Sequence, residues 1–533
     1  MKLFPAILIA IVSLVLCLPG NRANAADGTP LWTNYFNGTG NGHDGITAMA
    51  LDASGSVYVT GYSEGNGTGQ DYATIKYSGS GTALWVNRFN GPGNNYDYPQ
   101  ALAVDGSGNA YVAGTTYNAN AGAYNYATIK YTTAGTPVWT NFYSSAGDKQ
   151  DQATSVAVDS SSNVVVSGVS GYSSGSSEGY EFATIKYSPV GQALWTNRFH
   201  VNNSTFERAS LGLDASGNVY VSGSAIHGQL GDGFGFDYAT VKYSPAGIPL
   251  WTNIYSPGGY PKIWIQTLKV DGAGNVYVTG SSYNIDTGQD YATLKYSTDG
   301  IPLWTNIYNG PVDRDDYNPV VALDNSGNVI VTGHSFGQGS ADDFATIKYS
   351  SNGTALWTNR FNGLANSFDG ADDVAVDDSD NAYVTGFSQK DQAGNLDNVT
   401  VKYSAAGEAV WTNVFNAQAY SFTDFPALVA VDPSGNVYMA GSVYDDDFQA
   451  NFLVIKYSGP PPPYPPLKIA RTGNSVSLSW VTPETGLVLQ QAGSLDSSTV
   501  WNDTTNLVSV MGQTNSMQQT IGTTNRFFRL RRP

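Results

Sequence analysis

The residues best suited to chemistry in this 533-residue chain are aspartates at a fixed spacing. An acid stands eight residues before a second, regularly recurring aspartate at Asp44, Asp97, Asp151, Asp316, Asp369 and Asp424. Two successive places in the series carry Phe206 and Ile263 instead. A ring of carboxylates could hold a cation, and Ca²⁺ is the cofactor to expect, since oxygen ligands are all the chain offers. Paired carboxylates could also serve as acid and base in a hydrolase or lyase. The plainer alternative is that each aspartate caps its own loop. Asx caps are common, and a ring this wide cannot ligate one ion. Where the rule breaks, Phe206, Glu207, Arg208, Lys262, Ile263 and Trp264 form the least repetitive sector, expected as a patch for partner binding.

Other catalytic patterns are weaker. Gly61–Gly65 and Gly333–Gly337 match the G-x-S-x-G elbow, but that motif needs a strand, a turn and a helix, and no helical pattern follows. His43, His200, His227 and His334 show no metal-ligand spacing. Asp377-Asp378-Ser379-Asp380-Asn381 looks calcium-like but lacks the distal glutamate of an EF-hand loop. The only cysteine is Cys17, so a thiol nucleophile, a disulfide and a thiolate metal site are excluded downstream of it. No catalytic or cofactor-binding residue is assigned, and the protein is not expected to be an enzyme.

The elements that must position these residues are repeats. LWTN-type words place tryptophan at Trp32, Trp85, Trp139, Trp195, Trp251, Trp304, Trp357 and Trp411, at periods of 53 to 56 residues. AVDxSGNVYVTG-type words place aspartate at Asp52, Asp105, Asp159, Asp214, Asp271, Asp324, Asp377 and Asp432. ATIKYS-type words place lysine at Lys76, Lys130, Lys186, Lys242, Lys295, Lys348, Lys402 and Lys456. Each period holds four runs rich in Val, Ile, Tyr, Trp and Thr, cut apart by Gly, Asn, Asp, Ser and Pro. Four short antiparallel strands repeated eight times predict an all-β, eight-bladed β-propeller. The chain enters on an outer strand and leaves on a third strand, so the N-terminal strand is expected to close the last blade and hide two sheet edges. A lysine inside such a strand needs a carboxylate, either the AVD aspartate or the acid opening DYATIKY.

The words SGNVYVTGYS and DYATIKYS resemble the SBBP repeats of bacterial surface and secreted proteins, over about residues 31–458. That resemblance implies a propeller, and its family name implies seven blades where the count here is eight. Ile75–Trp85 is also similar in Gly-to-Trp spacing to the tryptophan-docking motif of eight-bladed quinoprotein propellers and their non-enzymatic relatives. No vicinal cysteine pair supports a quinone cofactor.

Residues 1–25 read as a signal peptide: Lys2, an apolar run from Leu3 to Leu18, then the small-residue box Ala23-Asn24-Ala25. The expected domains are the propeller at 26–458, a proline-rich linker at 459–466 (GPPPPYPP) and a small C-terminal β-sandwich at 467–533, whose SVSLSW resembles fibronectin type III or immunoglobulin strands. Charged residues make up 13%, against about 25% in ordinary domains. The formal net charge of −18 disfavours nucleic acid, and no run after the leader is long and apolar enough to span a bilayer. In an antiparallel blade the first and third turns share one face, and here they are short and nearly invariant. The second loop and the crossover share the other face, and they vary. The expectation is a secreted or cell-surface bacterial protein, monomeric and non-enzymatic, that binds a protein or glycan through that varied face. A channel-mouth hydrolase or lyase is the alternative.

Overall fold

In a computed structural model, the described residues are 28–459, apart from 148, 175–176, 201–203, 231–232, 257–263, 392–394, 416–427 and 445–448, together with the strands found within 468–531. Among them there is no helix. Eight four-stranded antiparallel sheets follow one another between Pro30 and Tyr457. Blade 1 is Gly45–Leu51, Val57–Gly65, Gly69–Tyr77 and Ala83–Phe89, called strands A to D from the channel outward. Blades 2 to 7 repeat this order. Blade 8 takes strands A to C from Leu428–Val431, Val437–Tyr444 and Ala450–Tyr457, and its outer strand is Pro30–Phe36 from the other end of the chain. The AVD word is thus strand A, VYVTG strand B, ATIKY strand C and LWTN strand D.

The sequence dictates this local order. Strands B and C are buried on both faces, and they are the runs richest in β-branched and aromatic residues. Strand D alternates, with Trp85, Asn87 and Phe89 partly buried and Leu84 and Val86 exposed. The core lies between blades. At the closure, Ile46, Val57, Val59 and Ile75 of blade 1 pack on Tyr438, Phe452 and Val454 of blade 8.

Each tryptophan docks on the following blade. The Trp32 indole lies on Gly81, where an added Cβ would be 2.7 Å from the ring, and Gly81 holds a φ of +86°. Trp32 Nε1 donates to Gly79 O at 3.2 Å and Asn34 Nδ2 to Gly81 O at 2.7 Å. The same set recurs from Trp85–Gly135 to Trp357–Gly407. The repeated lysines fill the layer behind it. Lys348 Nζ meets Asp324 Oδ2 at 2.7 Å and Lys186 meets Asp159 at 2.9 Å, all four side chains being buried. In these blades, as for Lys76 and Lys456, the partner is the AVD aspartate, while Lys130, Lys242 and Lys295 donate to carbonyls of the following blade. The acid opening strand C instead takes an arginine of strand D: Asp71 with Arg88, Asp343 with Arg360, and Glu181 with Arg198.

Contacts divide the chain into two compact units, one of them Asp27–Pro460 and the other including Pro461–Pro533. In the latter, Lys468–Thr472, Ser475–Val481, Ser509–Met511 and Thr514–Thr520 form a four-stranded sheet. Val488–Ala492, Asn502–Asp503 and Phe527–Arg531 form a three-stranded one.

Candidate functional site

The recurring aspartates stand where each crossover enters strand A, as their spacing implies. Asp97, Asp151, Asp316 and Asp369 are the first residues of their strands, and Asp44 precedes its own by one. All five are at most 1% exposed, so their carboxylates face inward, away from solvent. The backbone N–H six residues earlier donates to each: Gly91 to Asp97 at 2.6 Å, Ser145 to Asp151 at 2.6 Å, Gly363 to Asp369 at 2.6 Å, with Gly38 and Gly310 doing the same for Asp44 and Asp316. The strand B hydroxyls Thr116 and Ser170 donate to Asp97 and Asp151 at 2.6 Å. A Cβ at Gly91 would sit 1.9 Å from the Thr116 hydroxyl and 2.7 Å from Asp97 Oδ1, so in this crossover it is glycine that lets the loop close on the carboxylate, whereas in blade 3 the same place is held by Ser145. Four of these crossovers are one structure. Asn41, Asn94, Asp313 and Asn366 all take a left-handed φ three residues before the aspartate. Each of them accepts from the amide four residues earlier, Asn37, Asn90, Asn309 or Asn362.

Burial pushes these carboxyls above their ordinary range against the pull of their hydrogen bonds, and Asp316 reaches about 6. No two of the five share a hydrogen-bond partner. Each serves as a cap for its own loop, and among the described residues no three His, Cys, Asp or Glu side chains gather as a metal site. Asp424, Lys262 and Ile263 lie outside the described residues. Of the expected contact sector, Phe206, Glu207 and Trp264 are placed by backbone only. Phe206 and Glu207 pair with Ala225 and Ser224, and Trp264 pairs with Ser281. Arg208 is exposed, with a φ of +47°, in the bulge between Glu207 and Ser210.

The elbow-like serines are engaged elsewhere: Arg88 Nη1 donates to Ser63 Oγ and Arg360 Nη1 to Ser335 Oγ, both at 2.6 Å. Asp377 caps its own turn, accepting from Ser379 N at 2.9 Å and Asn381 N at 3.0 Å. Inside the channel, neighbouring A strands are tied by side chains. Ser155 Oγ donates to Ala209 O at 2.8 Å, and Val429 N donates to Asp373 Oδ2 at 2.9 Å. Burial pushes Asp373 up to about 6.

Sequence reasoning passed over a set of tyrosines on the varied face. Tyr62 meets Tyr98 edge-on at 6.0 Å, Tyr98 stacks with Tyr96 at 6.1 Å and 5°, and Tyr117 meets Tyr124 edge-on at 5.3 Å. Tyr117 and Tyr124 are cross-strand partners within blade 2, and only Tyr62 with Tyr98 joins blade 1 to blade 2; the five occupy different places in the repeat, so no single repeat word marks them.

These features define an all-β, eight-bladed propeller with one face of constant turns and one of varied loops. Residues 84–120 match the SBBP family, a beta-propeller repeat. The chain is 23% identical to an uncharacterised WD repeat-containing protein of Acanthamoeba polyphaga mimivirus over 66% of its own length and 33% of that protein's. It thus spans about a third of that relative. Similar solved structures include a fungal alcohol oxidase in complex with copper (TM-score 0.40, 13% identity, 79% of this chain and 90% of that one). Another is the β-propeller domain of the Trilobed protease from Pyrococcus furiosus (TM-score 0.37, 7% identity, 68% and 94%). Likeness at that level carries no argument about chemistry. No helix among the described residues is long and apolar enough to cross a membrane.

Proposed function

We propose that the protein is an exported, non-enzymatic binding scaffold. The varied face of its propeller engages a protein or glycan at or outside the bacterial cell surface. The observation that carries this reading is the contrast between the faces. Strands A and B are joined by a turn of constant length in every blade, from 52–56 to 432–436, and strands C and D likewise from 78–82 to 404–408. On the other face the B-to-C hairpin ranges from the short turn between Gly65 and Gly69 to strands running out to Ser174 and Leu230 in blades 3 and 4. A rigid ring with variation on one side is how binding loops are presented. Residues 1–25 act as the export signal in this reading, and 467–533 form a small fibronectin III- or immunoglobulin-like sandwich that assists attachment. No bound metal is required in this reading, because each described ring carboxylate has at least one oxygen taken by the backbone of its own loop. The hydrolase alternative gains no support from carboxylates so engaged.

The test is saturable co-sedimentation of the labelled protein with envelopes of the producing bacterium, together with N-terminal sequencing of the exported form. Saturable binding and a chain beginning at Ala26 are expected. Retention in the cytoplasm with an intact N-terminus, or no saturable binding, contradicts the reading.

A further inference from the structure

The tyrosines on the varied face extend beyond the pairs already described. Tyr444 of blade 8 neighbours Tyr62 of blade 1, and Tyr124 of blade 2 neighbours both Tyr96 and Tyr98. The six form one row across three blades, with Tyr96 47% exposed and the others half-buried.

Their hydroxyls set them apart. The repeat tyrosines Tyr58, Tyr111, Tyr220, Tyr277, Tyr383 and Tyr438 each donate to an AVD aspartate. None of the six hydroxyls in the row has a hydrogen-bond partner among the described residues. Partial burial and mutual repulsion push Tyr62, Tyr98 and Tyr124 upward, so they stay protonated at neutral pH, able to donate as well as accept. The nearest carboxylates are withdrawn. Asp44 and Asp97 are loop caps, and Asp71 is bound by Arg88 at 2.9 Å. The row offers ring faces and unengaged hydroxyls with no lysine or arginine among them, on a chain of net charge −18; the basic side chain that meets it is His43, edge-on to Tyr444 at 6.1 Å.

We propose that Tyr444, Tyr62, Tyr98, Tyr96, Tyr124 and Tyr117 form a platform for an uncharged glycan chain. The assignment rests on the reading that this face binds a partner, and it names the partner's chemistry. A pyranose presents C–H groups on its faces and hydroxyls at its rim, the complement of phenol rings with free hydroxyls. Charge decides against the other stacking ligands. An anionic polysaccharide or a nucleic acid would bring negative charge to an acidic molecule with no lysine or arginine in the row.

The test is affinity electrophoresis of the full chain through gels carrying a soluble β-glucan, an α-glucan, a mannan, a galactan or, as the anionic control, alginate. At least one neutral polysaccharide should retard the protein. The Tyr96→Ala/Tyr98→Ala variant should bind about tenfold more weakly, the scale of one lost stacking contact, with its melting temperature unchanged. Tyr98→Phe keeps the ring and should weaken binding less than the alanine variant. If the double variant fails to fold, Tyr96→Ala alone decides, since that ring is the most exposed. Retardation by alginate only, by no gel, or equally for wild type and a folded variant overturns the proposal. A protein that ignores every polysaccharide yet binds envelopes saturably refutes the glycan platform and leaves the scaffold reading standing. One that binds neither refutes both.

Discussion

Trp411 packs its indole on Gly28, a residue from the far end of the chain. An added Cβ there would lie 3.0 Å from Trp411 Cδ2. Asn413 Nδ2 donates to Gly28 O at 2.6 Å, as Asn34 does to Gly81. Gly28 N donates to Ser458 O at 2.9 Å and Ser458 N to Thr29 O at 2.8 Å, reproducing the bonds of the unbroken turn between Ser78 and Thr82. The eighth dock is thus a turn split between the two ends of the ring. It differs in one respect: Trp411 Nε1 is buried with no hydrogen-bond partner among the described residues, where Trp85 Nε1 donates to Thr133 O at 3.1 Å.

That difference sets a paired prediction. Trp85→Phe loses a hydrogen bond and leaves a carbonyl short of a donor, so it should cost about 1 kcal/mol more than Trp411→Phe. Gly28→Ala meets both the indole and a φ of +87°, and should cost about 1–3 kcal/mol. Urea denaturation midpoints measure all three; equal losses at the two tryptophans would contradict the difference in indole hydrogen bonding.

Removing residues 26–36 should expose the outer edge of Ala450–Tyr457 and the faces of Phe452 and Val454. An unpaired apolar edge is an aggregation site. The truncated chain is expected to melt lower and to self-associate in sedimentation velocity, while removal of 467–533 leaves the propeller's melting intact.

Asp290 occupies the place of Asp71 and Asp343, but Ile307, 49% exposed, stands where they find Arg88 and Arg360. Burial pushes Asp290 upward, and Asp313 and Asp315 add to it. Ile307→Arg should therefore stabilise the protein by about 1 kcal/mol, and Arg360→Ile should destabilise it by about 1–3 kcal/mol by leaving Asp343 unpaired. Thermal melts with opposite shifts are the expected result.

The two classes of aspartate predict opposite pH dependence. Asp316, raised to about 6 by burial, holds its proton more tightly folded than unfolded. Its contribution is full below about pH 4 and is lost as pH rises through about 6. Burial would also raise Asp52, but bonds from Ser54, Ser56, Tyr58 and Lys76 hold it at about 2, so its contribution is present above about pH 4 and lost as pH falls toward 2. Asp316→Asn should gain on wild type by about 1–3 kcal/mol between pH 4 and 7 in chemical denaturation. Parallel pH profiles would contradict the buried cap.

The blade count, strand order and closure by Pro30–Phe36 were legible because the repeat words keep register and their parts fall on strands A to D in order. The lysine's carboxylate was legible only as a choice of two. Register decides it, since Lys76 and Asp52 lie together behind the turns while Asp71 faces Arg88. The aspartate spacing correctly placed five side chains at the entry of strand A, but spacing cannot show which way a carboxylate turns. That depends on the backbone N–H six residues earlier, from Gly91 or from Ser145 alike, closing on the carboxylate. The tyrosine row was illegible because Tyr62, Tyr98 and Tyr124 come from strands B, A and C.

The central claim, binding through the varied face, is tested most directly by comparing envelope binding of two matched sets of variants. One set carries exposed substitutions on the varied face at Tyr96, Ile285 and Phe368; the other carries them on the constant-turn face at Val190, Ile248 and Ile301. Loss of saturable binding in the first set, with wild-type affinity in the second and unchanged melting in both, is the predicted result. Wild-type binding in the first set, or loss confined to the second, would contradict the account.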